Sequence, residues 1–184
     1  IGARAIAHLA LVILETGENP DLVEFLTPVA KVFCSQAGMR AAELGTQILG
    51  GYGYLREYRV EQTYRDARIT AIYEGANGIH ELAIATRGLR QHSGAGADAF
   101  DALIQELTDH PTVLRVRELW RNARDTVAGA DDPSPLAHDF TQLSCALFHR
   151  AVLTRFAKVT SDPEDIRLRD FALSRHLPIS TSLA

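Results

Sequence analysis

The stretch DLVEFLTPVAKVFCSQAGMRAAELGTQIL, residues 21–49, decides the fold class of this chain. Its apolar side chains recur at intervals of three and four residues, which is the period of one face of an α-helix and not the alternation of a strand. The predicted apolar stripe consists of Phe25, Val29, Phe33, Ala37, Ala41, Leu44 and Ile48. We therefore expect one long helix with a continuous face for packing.

Helical periodicity continues on both sides of this long helix, and no segment alternates for long enough to predict a strand. Gly17 is expected to end a first helix, and Asp162 before Pro163 has the pattern of an N-cap at the start of the last one. The other predicted helices cover residues 2–16, 58–66, 77–91, 98–109, 112–129, 136–160 and 163–176. The fold class is therefore predicted to be all-α, an antiparallel helical bundle followed by a second small helical bundle.

A change in composition marks a predicted boundary between two domains. The stretch HSGAGAD, residues 92–98, is rich in small residues and is typical of a linker or a sharp turn. We place the domains at residues 1–92 and 93–184. In the second domain an apolar seam at three- and four-residue spacing predicts helix packing, with Trp120 in the core. The simplest role for this domain is packing or oligomerisation.

The composition excludes several classes of function. The net charge is −4 and the 19 basic residues are spread along the chain, so a nucleic-acid partner is not expected. The apolar stretch AIAHLALVIL is too short to span a bilayer, and no signal peptide is recognisable. Cys34 and Cys145 have no motif spacing, which favours buried free thiols and a cytoplasmic location. Because the chain begins at Ile1, we expect it to be part of a longer protein.

Metal and hydrolase chemistry find no support in the sequence. The seven histidines are scattered without helical ligand spacing, so no metal site is predicted. No serine lies in a nucleophile-elbow context. The glycines of GTQILGGYGY, residues 45–54, follow a helix and do not precede one, which favours a helix C-terminus with positive φ at Gly50 and Gly51 over a phosphate loop. In YRDAR, residues 64–68, Asp66 between two arginines predicts a surface ion pair that supports the turn that follows.

The carboxylate of Glu74, in AIYEGANGIHE at residues 71–81, is the strongest candidate for chemistry. Ala71, Ile72 and Tyr73 favour burial on one side, and Gly75 permits a ligand to approach the backbone on the other. Partial removal from water raises the pKa of a carboxyl group towards the range of a general base. The residue pattern alone leaves a catalytic carboxylate and an ordinary surface carboxylate both open.

The combined pattern of residues 42–89, AELGTQILGGYGYLREYRVEQTYRDARITAIYEGANGIHELAIATRGL, resembles the C-terminal helical domain of the acyl-CoA dehydrogenase family. The order and spacing of its motifs carry the resemblance, and residues 1–41 are compatible with the preceding helix pair. The matching positions are Gln47, Gly50, Gly51, Gly53, Tyr54, Glu57, Tyr58, Arg65, Asp66, Ile72, Tyr73, Glu74 and Gly75.

The resemblance implies a flavoenzyme that removes two hydrogens from an acyl-CoA thioester. Glu74 would then be the base that takes the α-proton, while the β-hydrogen leaves as hydride to FAD, and Tyr73 and Gly75 would line the thioester end of the substrate channel. The resemblance also assigns FAD contacts to Gln47, Gly50, Gly51, Ala76 and Gly78. It further implies a dimer or tetramer, with electrons passing to an electron-transfer flavoprotein.

The chain departs from the family pattern in ways that bear on function. Ala76 stands where the family commonly has threonine, and His80 where it commonly has glutamine. The other domains that cover the flavin are absent from this chain, so the chain alone should lack a complete site. Two alternatives therefore stay open: an acyl-CoA oxidase on the same scaffold, and a non-catalytic helical oligomerisation module derived from the family.

Overall fold

The computed structural model describes residues 1–175, which form nine α-helices and no strand. The all-α prediction is therefore confirmed. The helices are α1 (Gly2–Thr16), α2 (Pro20–Leu49), α3 (Gly51–Tyr54), α4 (Val60–Ile69), α5 (Asn77–Ala83), α6 (Ala95–Leu107), α7 (Pro111–Gly129), α8 (Ser134–Thr160) and α9 (Pro163–Ser174). Two short 3₁₀ segments, Arg56–Tyr58 and Gln91–Gly94, connect them, and no described helix is long and apolar enough to cross a membrane.

Most helix ends follow the expected chemistry. Gly17 takes a left-handed conformation (φ 69°) after α1, and the side chain of Asn19 caps α2 by accepting a hydrogen bond from the backbone of Leu22 at 3.0 Å. Asp162 caps α9 through the backbone N–H of Glu164 at 2.7 Å. The predicted helix over 77–91 is interrupted, because α5 passes into a π-helical turn at Ile84–Gly88. The predicted last residue of the final helix, 176, lies outside the described residues.

The hydrophobic core is one continuous cluster that joins the two halves of the chain. Phe25 of α2 packs against Phe100 of α6 and Trp120 of α7, with ring centroids 5.2 Å and 6.3 Å away, and Trp120 stacks on Phe140 of α8 at 5.6 Å. Gly96 lets α6 approach α2 closely, since a Cβ there would lie 2.8 Å from the Asp21 carbonyl oxygen. The division at residue 92 stays a prediction, and the packing across it is unbroken.

The apolar stripe of α2 is buried only over its first half, which corrects the expectation of a face packed along its whole length. Phe25 and Val29 are fully buried, whereas Leu44 is exposed and Ile48 is 83% exposed. The later part of α2 is covered by α4, where Val60 lies beside Gly45 and Ala42 is buried, but α4 leaves Leu44 and Ile48 exposed. Periodicity reports that a face is apolar, and it does not report what covers that face.

Two buried polar clusters in the second half of the chain are internally paired. The indole N–H of Trp120 donates to the hydroxyl of Ser144 at 2.8 Å. The carboxylate of Asp101 receives two hydrogen bonds from Arg117 at 2.7 Å and another from Arg121 at 2.7 Å. Burial alone would raise the pKa of Asp101, but the hydrogen bonds from the two arginines outweigh it and lower that pKa.

The two cysteines are free thiols, as the sequence predicts. Cys145 is buried in α8, and burial raises its pKa to about 12. Cys34 is half-buried in α2, its thiol lies 3.2 Å from the carbonyl oxygen of Ala3, and burial raises its pKa. Neither thiol is poised as a nucleophile, because a reactive cysteine needs a lowered pKa.

Candidate active site

Glu74 lies in a tight turn between α4 and α5. Glu74 and Gly75 take consecutive left-handed conformations, with φ of 53° and 89°. The turn is closed by the backbone N–H of Asn77, which donates to the carbonyl oxygen of Ala71 at 3.1 Å. A left-handed conformation costs a non-glycine residue of the order of 1–3 kcal/mol, so the surrounding contacts must hold Glu74 there. The sequence predicts this turn correctly.

Two side chains of α2 hold the far side of the turn. The ammonium group of Lys31 donates to the side-chain oxygen of Asn77 at 2.8 Å, and the side-chain amide of Asn77 donates to the hydroxyl of Ser35 at 3.0 Å. Ser35 is buried, which places its hydroxyl in a fixed setting. Sequence reasoning missed Ser35 and Asn77, although a serine on the packed face of a long helix is a recognisable signal for a polar contact.

His80, one turn into α5, bonds the backbone of Glu74 directly. Its Nε2 lies 3.1 Å from the carbonyl oxygen of Glu74. Since a carbonyl oxygen only accepts hydrogen bonds, Nε2 must carry the proton in this arrangement. The same ring packs on Gly75, where an added Cβ would lie 2.9 Å from Nε2. The histidine that departs from the family pattern is therefore a contact that fixes the Glu74 turn.

The side chain of Glu74 is exposed, which corrects the prediction of a carboxylate half removed from water within this chain. Ala71 is buried as predicted, but Ile72 is exposed and Tyr73 is 50% exposed. Residues within 1–175 hold the backbone of the turn from one side, and none of them covers its outer face. The carboxylate itself bonds to no described residue. Any removal of Glu74 from water must come from atoms outside residues 1–175.

The glycine cluster after α2 lies between Gln47 and Tyr54, two residues that line an open groove of about 720 Å³. Gly50 has φ 57° and ψ −135°, a conformation that favours glycine, whereas Gly51 begins α3 and is not among the positive-φ residues, which corrects that part of the prediction. A Cβ at Gly50 or Gly51 would meet nothing within 4 Å, so the backbone there is open to a ligand. The residues that line the groove include Gln47, Tyr54, Glu57, Tyr64 and Arg65.

The two other predicted cofactor contacts lie at the start of α5. Ala76 is the N-cap residue, is exposed, and makes no capping hydrogen bond with its side chain. Gly78 is exposed, and a Cβ there would meet nothing within 4 Å. Tyr73, Glu74, Gly75, Ala76 and Gly78 are thus brought together in one turn, while Gln47, Gly50 and Gly51 form a separate group at the end of α2.

The predicted ion pair within YRDAR is not formed, and this prediction was wrong. Arg65 bonds Glu61 one helical turn earlier, at 2.9 Å, and the guanidinium of Arg68 lies 3.8 Å from the sulfur of Met39. Asp66 is exposed and has no ion-pair partner among residues 1–175. Neighbours in sequence on a helix point in different directions, so residues 65 and 66 do not face each other. Support for the Glu74 turn comes from Lys31, Ser35 and His80 instead.

One group of potential metal ligands occurs in the described part of the chain. Asp21, Glu24 and His92 offer ligand atoms within 4.8 Å of one another, and His92 Nδ1 lies 2.8 Å from Asp21 Oδ1. The sequence did not predict this group, because ligand spacing within a helix cannot reveal residues brought together by the fold. All three residues are at least partly exposed, and the histidine–aspartate pair satisfies both side chains without an ion.

Comparison with known proteins agrees with the geometry of the first half. The sequence model of the family described as acyl-CoA dehydrogenase, C-terminal domain, matches residues 1–89. Residues 1–89 are therefore similar to the C-terminal domain of acyl-CoA dehydrogenases. A 3-methylmercaptopropionyl-CoA dehydrogenase of Ruegeria pomeroyi is 40% identical over 87 residues, which cover 47% of this chain and 15% of that protein. The mitochondrial short-chain specific acyl-CoA dehydrogenase of Sus scrofa is 39% identical over 90 residues, 49% of this chain and 21% of that protein.

A third relative of this chain is named as a reductase. The acryloyl-CoA reductase (NADH) of Anaerotignum propionicum is 37% identical over 89 residues, which cover 48% of this chain and 22% of that protein. The matches to these three relatives span 15% to 22% of their lengths. The part of this chain that matches therefore corresponds to less than a quarter of the length of each of these three relatives.

The likeness in fold extends beyond the acyl-CoA dehydrogenase domain. The crystal structure of Caenorhabditis elegans ACDH-11 in complex with C11-CoA matches 97% of this chain and 34% of that chain, with a TM-score of 0.78 and 18% sequence identity. At this identity the comparison shows the fold alone. The helices after residue 92 are therefore part of a fold shared with that structure.

Proposed function

We propose that this chain is the C-terminal part of an FAD-dependent acyl-CoA dehydrogenase in which Glu74 is the catalytic base. One observation carries the proposal: a strained, left-handed Glu74 is held by contacts from α2 and α5 in a family domain, and its carboxylate is left unpaired. Arg59, His92, Ser93 and Ser161 also have positive φ, so the conformation counts here only together with the contacts that hold the turn and the unpaired carboxylate. Strain that is retained by surrounding contacts is typical of functional sites.

In the proposed reaction Glu74 takes a proton from the α-carbon of an acyl-CoA thioester. Bound FAD would supply the acceptor for the β-hydrogen and its electron pair, so that a double bond forms between the α- and β-carbons. The chain's own contribution is to hold the carboxylate in a fixed position, because positioning a base against a weakly acidic carbon provides much of the rate. Tyr73 and Gly75 would contact the thioester end of the substrate.

The exposure of Glu74 requires that other parts of the protein exclude water from it. Bulk water around Glu74 would leave the pKa of its carboxyl group without the increase that removal from water causes. Bulk water would also leave a reduced flavin open to oxygen. The surface of the chain supports such a cover. Between Ala42 and Ile84 the only buried hydrophobic side chain is Ala71, whereas most large hydrophobic residues of this segment are exposed. An apolar surface of this extent is typical of an interface.

The residues proposed to hold FAD offer open backbone and one amide, and the groove beside them carries Arg56 and Arg65 together with three glutamates. Gly50 and Gly51 present open backbone, and Gln47 lines the adjoining groove with an amide that can donate and accept hydrogen bonds. Ala76 and Gly78 present open backbone next to Glu74. Ala76 offers no hydroxyl, so contacts at this turn would be limited to the main chain. Self-association as a dimer or tetramer, electron transfer to an electron-transfer flavoprotein, and a cytoplasmic location complete the proposal.

The test compares two matched variants of the longer flavoprotein that contains this chain. Glu74→Gln should still bind FAD and should lose nearly all flavin reduction by acyl-CoA under anaerobic conditions, because the amide cannot take the α-proton. Glu106→Gln, at an exposed position of α6, is the control and should reduce flavin at the rate of the parent. Flavin reduction by Glu74→Gln at a near-normal rate would move the base to another residue.

The exposure of Glu74 is also compatible with a non-catalytic helical module derived from the family. Such a module would bind no acyl-CoA and would reduce no flavin in the longer protein, with or without Glu74. An acyl-CoA oxidase differs in the next step only, since its reduced flavin reacts rapidly with oxygen. Admission of air after anaerobic reduction therefore separates the dehydrogenase from the oxidase, and reduction itself separates both from the module.

A further inference from the structure

A second cavity, of about 580 Å³, lies between α2, α8 and α9. We call it the α8–α9 pocket. It shares no residue with the Glu74 turn or with the groove beside Gln47. The lining residues used below are Phe33, Gln142, His149, Arg150, Phe171 and Arg175. Its volume lies within the range of pockets that hold small organic molecules.

The polar side of the α8–α9 pocket has an excess of positive charge. Arg150 is only 6% exposed, and its guanidinium donates to two carbonyl oxygens, that of Arg175 at 2.9 Å and that of Ala146 at 3.3 Å. It has no carboxylate partner among residues 1–175. A buried charge without a counter-charge is costly, and neutral carbonyl groups offset that cost only in part. Among the described residues that line the pocket there is no aspartate or glutamate.

Other groups around the α8–α9 pocket also lack partners that an anion would supply. The side-chain amide nitrogen of Gln142 is buried and has no hydrogen-bond partner in the described chain. Arg175 lies over the ring of Phe171 at 5.6 Å and makes no ion pair with a described residue. Burial lowers the pKa of Arg150, and the charge of Arg175 lowers it further. Burial also lowers the pKa of His149, with neighbouring positive charges as smaller contributions.

The remaining walls of the α8–α9 pocket are apolar. Phe33 and Phe171 lie on different helices, α2 and α9. The other apolar lining residues are Ile1, Ala37, Cys145, Ala146, Leu153, Leu168 and Ala172. A small inorganic anion would leave this apolar surface in contact with water. A neutral apolar molecule would leave Arg150 and Gln142 without the acceptor that they lack. A ligand that carries both a carboxylate and an apolar tail satisfies both sides.

We propose that the α8–α9 pocket binds an organic carboxylate with an apolar tail, with Arg150 and Gln142 on the carboxylate and the phenylalanine rings on the tail. The planar guanidinium of arginine suits a carboxylate because it offers parallel N–H donors. This site is separate from the proposed Glu74 chemistry. It gives the second half of the chain a binding role in addition to packing.

The test is isothermal titration calorimetry of the 184-residue chain with three probes: octanoate, 1-octanol and inorganic phosphate. Octanoate should bind one molecule per chain, at least tenfold more tightly than octanol, and phosphate should not bind. Arg150→Gln should weaken octanoate binding at least tenfold and leave octanol binding unchanged. Arg115→Gln, at an exposed arginine of α7, is the matched control and should bind octanoate like the parent.

A second pair of variants keeps the test decisive if Arg150→Gln does not fold. Arg175→Gln changes an exposed side chain, and Gln142→Leu removes the unpaired amide. Each should weaken octanoate binding about threefold or more while the circular dichroism spectrum stays that of the parent. Equal affinity for octanol and octanoate, binding of phosphate as tight as that of octanoate, or octanoate binding that none of these variants changes would each overturn the proposal.

Discussion

The Nε2 atom of His80 donates a hydrogen bond of 3.1 Å to the carbonyl oxygen of Glu74, and this contact fixes the turn that carries the proposed base. The bond joins two residues six positions apart, from the first turns of α5 back to the left-handed residue before it. The catalytic proposal therefore depends on the backbone of Glu74 as well as on its carboxylate. A base with a free side chain and a fixed main chain is positioned without being paired.

Replacement of His80 should separate the hydrogen bond from the size of the side chain. His80→Gln retains an N–H donor and should keep the turn, whereas His80→Leu leaves the Glu74 carbonyl without its donor. We expect faster amide hydrogen exchange over residues 73–78 in His80→Leu alone, measured on the 184-residue chain. In the longer flavoprotein His80→Leu should also lower flavin reduction, with FAD content unchanged. Equal exchange in the two variants would show that the bond does not hold the turn.

Gly75 should not tolerate a side chain. It has φ 89°, and an added Cβ would lie 2.9 Å from Nε2 of His80. Gly75→Ala is therefore expected to lower the free energy of unfolding by about 1–3 kcal/mol, measured by urea denaturation. Gly78→Ala is the control, because that position is helical with open space around it and should gain up to about 1 kcal/mol. Similar losses in both variants would contradict the strained geometry at Gly75.

The Asp101 cluster should make stability depend on acid pH. Because the pKa of Asp101 is lower in the folded state than its usual 3.8, the carboxylate stabilises the fold above that value. This stabilisation is lost as the pH falls below about 4 and through the folded pKa. Asp101→Asn should cost about 3–5 kcal/mol at pH 7, because it leaves two arginines without their shared partner. The difference from the parent should shrink at acid pH in urea denaturation.

An exposed carboxylate on the same helix provides the control for Asp101. Asp98 pairs with Arg124 at 2.8 Å but is largely open to water, so Asp98→Asn should change stability by about 0–1 kcal/mol. A loss at Asp98 as large as that at Asp101 would mean that burial does not determine the strength of these pairs.

The 184-residue chain should carry no stoichiometric flavin after purification. Its proposed FAD contacts are open backbone at a few glycines and one glutamine beside an open groove, which is too little to offset the cost of immobilising the cofactor. The measurement is the visible absorbance spectrum of the purified chain against its protein concentration. One flavin for each chain would contradict the proposal that other parts of the protein complete the site.

Helices and turns of this chain could be predicted from the sequence, because helix periodicity and capping depend on residues that are close together in the chain. Three- and four-residue spacing predicts α2 and α7, Asp162 predicts a cap, and the glycine after Glu74 predicts the turn. Exposure could not be predicted in this way, since Ile72 and Tyr73 are apolar by composition but face solvent. The contact of Asn77 with Ser35 and Lys31 depends on how α2 lies against α5, which no local pattern contains.

The fold also explains why the second half of the chain matters to a turn that it does not contain. Trp120 packs on Phe25, and Phe25 lies on the same unbroken helix as Ser35, the residue that bonds Asn77 beside Glu74. The helices α6–α8 thus fix the first part of α2, and the same helix holds the Glu74 turn further along. A substitution that disturbs this packing would lower the measured turnover, although Glu74 and the residues around it are unchanged. Screens of variants should therefore score folding and chemistry separately for substitutions in α6–α8.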